Sequence, residues 1–334
     1  MTPDAGANIE PDRQAAVEAL TGNEKFLLTT HENPDGDALG SLLAMQSALQ
    51  QVGKDSVMFL DAKEFPLQVE YRFLPLEEVF HDPPADISDR VVVFLDCGNV
   101  DRMPVDFLTS GGRMVVNIDH HHDNTRFGDV NLVDRKAACT AQIVWTLLDA
   151  LGAELTPEIA EALYVGLVTD TGKFMYSNVD MESHRMAGEL IAAGVDPGEV
   201  SRRLYEHAPI EKLRLLSRAL DSISTYQDGR LAIAYISADD FAATGSDESL
   251  SEGVIDLVRT LGGTSVAAVV RDLPGGKGPA RKVSLRATDG SVDVSAIARK
   301  QGGGGHVRAA GFGTDLELAE IVEFIESEIA SSGR

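Results

Sequence analysis

The chain reads as an α/β protein: a larger parallel-sheet domain with helices on both faces, a helical connector, and a smaller α/β domain at the C-terminus. Three observations predict this. Short apolar runs alternate with segments of helical periodicity through the first half, the pattern of strand and helix units that assemble a covered parallel sheet. A stretch of purely helical pattern follows at about 182–224, and a second strand-rich region begins after it. At 334 residues and 43% hydrophobic composition, the chain can bury a substantial core, and its length favours two domains. The expected boundaries are 1–195, 196–228 and 229–334.

Lys25 to Thr30 reads as a buried strand, and a loop from His31 to Asp37 leads into a helix carrying Leu39, Leu42, Leu43 and Leu49, stopped by Gly53. Val57 to Leu60, Arg90 to Leu95 and Met114 to Ile118 are further strands. Ile143, Leu147 and Leu151 mark one helix; Pro157, suited to a first helical turn, opens another with Ile159, Leu163 and Leu167. Gly194, Asp196-Pro197 and Pro209 punctuate the helical connector. In the last third, Leu231 to Ile236, Ser265 to Val270 and Lys282 to Arg286 read as strands, and a helix from about 316 to 330 closes the chain.

The formal net charge of −24 repels long polyanions and argues against duplex DNA as a partner. An excess of Asp over Glu and of Arg over Lys would suit a salt-rich cytoplasm. The longest apolar stretches fall short of the roughly 18 to 20 residues that span a bilayer, so no membrane segment is expected. Asp4, Glu10 and Asp12 replace the basic patch of a secretory signal, and a cytoplasmic location is expected. Cys97 and Cys139, the two cysteines, read as reduced, buried small hydrophobes rather than nucleophiles. The charge is uneven, however. Between Arg271 and Arg308 eight Lys or Arg face three Asp, a local balance of +5.

Four clusters stand where apolar runs stop: His31-x-x-x-Asp35-x-Asp37, Asp96, Asp119-His120-His121 and Asp170. Loops leaving the carboxyl edge of a parallel sheet converge on one crevice, so clusters remote in sequence become neighbours in space. Carboxylate oxygens with imidazole nitrogens suit divalent ions, Mn²⁺ foremost, with Mg²⁺, Co²⁺ or Zn²⁺ as alternatives. Several carboxylates, one of them bridging, are what a pair of ions needs to offset mutual repulsion. Taken singly, Asn33-Pro34-Asp35-Gly36 is a good turn and an aspartate near a strand end often caps a helix. Four such clusters together point to a two-metal site for phosphoester hydrolysis.

His-Glu-Asn-Pro-Asp-Gly-Asp-Ala-Leu-Gly-Ser at 31–41, together with Asp119-His120-His121, resembles the DHH phosphoesterases. Asp96 after its apolar strand, Thr169-Asp170-Thr171-Gly172 and Asn124 match that family's remaining motifs. The resemblance implies that His31, Asp35 and Asp96 hold one manganese, and that Asp37, Asp96, His120 and Asp170 hold the other, with Asp96 bridging. It places His121 against the substrate phosphate and leaves Asp119 to orient a neighbouring histidine or loop. Cys97 and Gln142 depart from the family pattern, where a small hydroxyl residue and a glutamate are common. His81, His122, His184 and His207 have no motif support and read as surface or satisfied core residues.

In the second half, Gly302-Gly303-Gly304-Gly305-His306 followed by Ala309-Ala310-Gly311 resembles the Gly-Gly-Gly-His motif of the family's substrate-binding domain. Taken alone, a glycine run is a flexible loop; beside His306 and within the basic island it reads as backbone cradling a nucleotide phosphate. Ser284-Leu285-Arg286 resembles the same domain's Ser-x-Arg element, with Arg286 as a phosphate clamp and Arg308 as a weaker candidate. Pro274 to Pro279 reads as a mobile hairpin loop.

This resemblance implies the compact two-domain nanoRNase architecture, with the active site in the interdomain cleft. The implied activity is manganese-dependent hydrolysis of short single-stranded oligoribonucleotides and dinucleotides to mononucleotides, with 3′-phosphatase action on 3′-phosphoadenosine 5′-phosphate, by a homodimer. Cleavage of cyclic or linear di-adenylate is an alternative within the family, and inorganic pyrophosphatase another. A processive single-strand DNA exonuclease needs DNA-binding regions for which the chain has no length. A nucleotide-binding sensor with a dead centre is the non-enzymatic alternative, and the intact ligand set argues against it.

Overall fold

Apolar runs of the first half become adjacent strands of one parallel sheet. The computed structural model describes residues 9–103, 105–206, 208–273, 278–288 and 290–332. Two compact units divide the chain, Met1–Glu206 and His207–Arg334. The stretch 196–228, expected as a connector, is split at this boundary: its first helix packs in the first unit and its second in the other.

In the first unit the order is α1 (Glu10–Gly22), β1 (Lys25–Thr29), α2 (Gly36–Gln51), β2 (Asp55–Met58), β3 (Val91–Leu95), β4 (Val115–Asp119), β5 (Val130–Val133), α3 (Thr140–Leu151), α4 (Pro157–Asp170), α5 (Met181–Ala192) and α6 (Pro197–Tyr205). Among the described residues the sheet has five strands in the order β2-β1-β3-β4-β5, all parallel. Thr29 pairs with Phe94 and Leu95 with Ile118. The three central strands therefore end nearly level, and the residues that follow them share one edge.

Both faces of the sheet are dry, which explains why β3 is apolar throughout rather than alternating. Phe26, Leu28, Val93, Leu95, Val116 and Ile118 pack under α2, α3 and α4. Leu27, Val92, Phe94 and Val115 form the other layer with Phe59, Met103 and Leu108. That second layer is built of loops and short 3₁₀ turns, such as Val100–Arg102, in place of long helices. Edge-to-face aromatic pairs seal it, Phe94 with Phe127 and Phe59 with Phe107, each at 5.0 Å.

Helix α2 is the pivot of this unit. Asp35 caps it, accepting from the backbone N–H groups of Asp37 and Ala38 at 3.1 Å. Every residue from Gly36 to Met45 is buried, because α2 is sandwiched between the sheet and α4. A Cβ on Gly40 would collide with the Ala162 carbonyl, and one on Gly166 would lie 2.8 Å from the Asp37 carboxylate. Two glycines thus let α2 and α4 approach backbone to backbone, and the approach sets the spacing of the acidic residues the helices carry.

The second unit contains α7 (Ile210–Asp221), β6 (Ser224–Tyr226), β7 (Leu231–Ile236), α8 (Ala238–Thr244), α9 (Val254–Val258), β8 (Val266–Asp272), β9 (Arg281–Ala287), α10 (Val294–Arg299), β10 (Gly304–His306), β11 (Ala309–Thr314) and α11 (Leu318–Ser332). Its mixed sheet runs β10-β11-β9-β8-β7-β6, with β7 and β8 parallel and the other pairs antiparallel. One face packs on α10 and α11 and the other on α7, α8 and α9. The expected hairpin loop at Pro274 to Pro279 falls at residues 274–277 outside the described residues. Within the described residues no helix is long and apolar enough to cross a membrane.

Candidate metal centre

Each side chain of the sequence-predicted constellation in the first unit stands at the carboxyl edge of the sheet or at a helix end beside it. His31 follows β1, Asp96 follows β3, Asp119 ends β4, and His120 and His121 come next. Asp35 and Asp37 are the cap and first turn of α2, and Asp170 is the last residue of α4. Asp96 has φ +59°, a left-handed turn that swings the chain out of β3.

Asp96 is the hub, 2% exposed. One of its oxygens lies 3.5 Å from His31 Nε2; the other lies 3.5 Å from His120 Nε2 and 3.6 Å from His121 Nδ1. Donor atoms of His31, Asp35 and Asp96 lie within 4.8 Å of one another, as do those of Asp37, Asp96 and His120. Asp170 Oδ2 is 3.7 Å from His120 Nε2, and Asp37 Oδ2 is 4.0 Å from it. The two groups share Asp96.

Among the described residues, no Lys or Arg stands within ion-pairing distance of Asp37, Asp96 or Asp170. Burial, followed by repulsion from Asp96 and Asp170, pushes the Asp37 carboxyl well above the usual carboxylate range. Asp170 is driven the same way by burial and by Asp35 and Asp96. For Asp96 burial also favours the neutral acid, but the hydrogen bond to His31 and the charges of His121 and His120 outweigh it and hold the group well below its ordinary value. Clustered carboxylates with imidazole counterparts and no basic side chain fit divalent cations, whose charge this donor set can compensate. Thiolates do not compete: burial pushes the Cys97 thiol up to about 12 and Cys139 well above its ordinary value.

Supporting contacts hold these groups in place. Asp119, fully buried, accepts from Asn124 Nδ2 at 2.6 Å and lies 2.8 Å from His121 Nδ1. Burial disfavours the His121 imidazolium, but Asp119 and Asp96 outweigh it and raise the group to about 10. His31 Nδ1 faces the Glu32 carbonyl at 2.7 Å, so Nε2, which faces Asp96, is the ring position that would take a cation. Glu64 accepts the Asn33 N–H at 2.6 Å and pins the loop between His31 and Asp35.

Sequence reasoning missed Thr140. Its Oγ1 donates to Asp96 at 2.9 Å while its backbone N–H donates to Asp37 at 2.6 Å. Asn178, which donates to the Asp170 carbonyl at 3.0 Å and to its carboxylate at 3.4 Å, was missed as well. Neither belongs to a run that ends a strand, and only their neighbours in space give them a role.

In the second unit, Ser284 and Arg286 lie on β9, and the Gly304-Gly305-His306 segment forms β10 rather than a bare loop. β10 pairs with β11, His306 opposite Ala309 and Gly304 opposite Gly311. A Cβ on Gly303 would strike the Gly311 carbonyl, and one on Gly305, at φ +133°, would meet the Ala310 backbone at 2.7 Å. The glycines are therefore required for close strand packing. Arg308 is exposed in the β10–β11 turn, its carbonyl accepting from Ala287 N at 2.9 Å.

Comparison with known proteins adds to this geometry. Residues 25–167 match the DHH family N-terminal domain and residues 228–331 the DHHA1 domain. The chain is 37% identical over 312 residues to the bifunctional oligoribonuclease and PAP phosphatase NrnA of Thermus thermophilus, covering 92% of this chain and 90% of the relative. The protein of the same name from Bacillus subtilis is 27% identical, covering 88% and 91%. Among solved structures, an exopolyphosphatase-related protein from Bacteroides fragilis superposes with a TM-score of 0.85 at 22% identity, covering 97% of both chains. RecJ from Thermus thermophilus, in complex with Mn²⁺, gives 0.59 at 15% identity, covering all of this chain and 56% of that one. These two likenesses establish the fold.

Proposed function

Because the chain belongs to the DHH family, we propose that it is a two-metal phosphoesterase that hydrolyses short oligoribonucleotides to mononucleotides and 3′-phosphoadenosine 5′-phosphate to AMP. The observation that carries this reading is the position of Asp96, with one oxygen toward His31 and the other toward His120. His31, Asp35 and Asp96 would hold one ion, and Asp37, Asp96, His120 and Asp170 the other, with Mn²⁺ the preferred metal and Mg²⁺, Co²⁺ or Zn²⁺ alternatives. Bound there, the ions supply a nucleophile at neutral pH and neutralise phosphoryl charge.

The protein's own groups do the rest. Asp119 engages His121 Nδ1 and favours the protonated ring, in which Nε2–H would be the donor to a phosphoryl or leaving oxygen. Asn124 holds Asp119 by one contact and Asn117 by another at 2.7 Å, which stops the carboxylate from rotating away. Ser284, Arg286, Gly303, Gly304, Gly305, His306 and Arg308 would take a phosphate of the substrate through the second unit.

The test offers a dinucleotide, 3′-phosphoadenosine 5′-phosphate, cyclic di-adenylate and pyrophosphate side by side, with and without Mn²⁺, and identifies products. Mononucleotide and AMP formation that vanishes on chelation supports the reading. Pyrophosphate turnover exceeding that of the dinucleotide, or binding of all four without product, overturns it.

A further inference from the structure

On one face of the second unit's sheet, a buried arginine has no acidic partner. Side chains alternate along β8 and β9, so Arg271, Ser284 and Arg286 share the face of Ala267 and Val269, while Val270, Val283 and Leu285 join the core under α10 and α11. The core beneath α7, α8 and α9 takes residues from β7 and β8 and, among the described residues, none from β9 or β11. Beyond β8 this face carries small and basic residues instead.

Arg271 is 3% exposed. Its Nη1 donates to Ser284 Oγ at 3.0 Å, and its buried Nε has no hydrogen-bond partner. Of the carboxylates nearby, Asp272 is engaged with Arg281 and the Tyr235 hydroxyl and Glu248 with Lys282, while Glu252 acts on Arg271 through its charge without forming an ion pair with it. Arg286 Nε is also buried without a partner, and its Nη1 donates to the Leu285 carbonyl at 3.1 Å. Burial outweighs the favourable charges of Glu252 and Glu248 and, with a smaller repulsion from Arg286, holds the Arg271 guanidinium below its ordinary value. Two guanidiniums on one face, each with a buried unmet N–H and neither in an ion pair among the described residues, suit an anionic ligand.

Ser284 makes the arrangement directional. Because its Oγ accepts from Arg271, its single hydroxyl proton remains available to a ligand oxygen. Across the ladder from Ser284 stands Gly311, so the floor at that position is backbone and a phosphate can come close.

We propose that Arg271 is a further substrate-binding residue, which with Ser284 and Arg286 forms a subsite for a terminal phosphomonoester dianion distinct from the ester being cut. This rests on the hydrolytic reading above and sharpens its substrate class. An internal phosphodiester carries one negative charge, whereas a terminal monoester carries about −1.5 to −2 at pH 7. Two guanidiniums match the second. A 5′-phosphorylated dinucleotide and 3′-phosphoadenosine 5′-phosphate each carry such a group in addition to the one hydrolysed; a dinucleotide with hydroxyl ends does not.

The experiment compares pApA with ApA on the full-length chain in Mn²⁺. Wild type is expected to favour pApA by tenfold or more in kcat/KM, chiefly through KM. Arg271→Met should bring that ratio near unity, and Arg271→Lys, which keeps the charge but loses the fork, should restore part of it. Since both substrates are read on one preparation, a reduced folded fraction cancels from the ratio. Calorimetry on metal-free protein then compares 5′-AMP with adenosine. Tighter binding of AMP in wild type, lost in Arg271→Met, supports the proposal. An unchanged pApA to ApA ratio in Arg271→Met overturns it while hydrolysis stands. If wild type cleaves neither dinucleotide, the hydrolytic reading falls, and AMP binding decides this one: dependence on Arg271 sustains it, and indifference overturns it.

Discussion

The Asp37 carboxylate accepts the backbone N–H of Thr140 at 2.6 Å, with the next N–H, that of Ala141, at 2.8 Å. One side chain from α2 thus caps α3, whose own flanking residue Cys139 provides no side-chain cap. Proposed ligand and helix cap are the same group. The positive end of the α3 dipole also points at the acidic cluster, which eases the crowding of like charges there.

Replacing Asp37 by Asn separates the two duties. The amide oxygen can still accept from Thr140, and removing a carboxylate held far above its ordinary range relieves repulsion. Metal-free Asp37→Asn is expected to melt no lower than wild type, give or take about 1 kcal/mol for the altered cap. Wild type should gain melting temperature on adding Mn²⁺ and the variant should not, with turnover falling by a factor on the order of 10³ or more. Thermal unfolding with and without metal checks it; equal gains would remove Asp37 from the ligand set.

Thr140 orients Asp96 through Oγ1. Thr140→Val keeps the shape but leaves that oxygen without its donor, so Mn²⁺ affinity should fall by roughly 10- to 100-fold, as outer contacts of metal ligands typically cost. Thr140→Ser should recover most of the loss. Calorimetric titration of Mn²⁺ into the three proteins decides it.

Gly40→Ala tests the close approach of α2 and α4. The added methyl meets the Ala162 carbonyl, backbone that cannot rotate aside, and the expected cost is about 1–3 kcal/mol in urea unfolding. Since the helices carry Asp37 and Asp170, turnover should fall further than the loss of folded protein explains.

At the opposite edge of the sheet, Asp86 contacts Arg90 at 2.8 Å and Lys25 at 2.9 Å. Hydrogen bonds from Arg90 and then Lys25 hold its carboxyl well below the usual range. A carboxylate depressed on folding stabilises the native state above its unfolded pKa, near 3.9, and that contribution disappears as pH falls through the folded value. Asp86→Asn should therefore be less stable than wild type at pH 7, with the gap narrowing below about pH 4. Urea midpoints across pH 2 to 7 measure it, and a gap that widens in acid contradicts the assignment.

Apolar runs that stop abruptly at Asp96 and Asp119 were legible because a parallel strand buried on both faces needs continuous hydrophobicity, and its end is where the pattern breaks. Weakly patterned elements were not. Helix α1 buries only Ala16, Ala19 and Leu20 among its described residues, a face too narrow to give a strong period. β10 and β11 are built largely of glycine and alanine, residues with little strand preference of their own; their pairing is imposed by the neighbouring strand β9. The covering of the second sheet face by 3₁₀ turns was equally hidden, since such turns have no periodic signature.

What the order of residues determined by itself was chemical: which side chains can ligate a cation, which segments are strands, and that their ends would gather on one edge. Tertiary structure decided the rest. Asp37 as the cap of α3, Thr140 on Asp96, and Arg271 against Ser284 without an acidic partner are relations between elements 13 to 103 residues apart. Hydrogen bonds and burial act over a few ångströms regardless of separation along the chain, so only packing can select which of many polar residues share a partner and which buried charge is left without one.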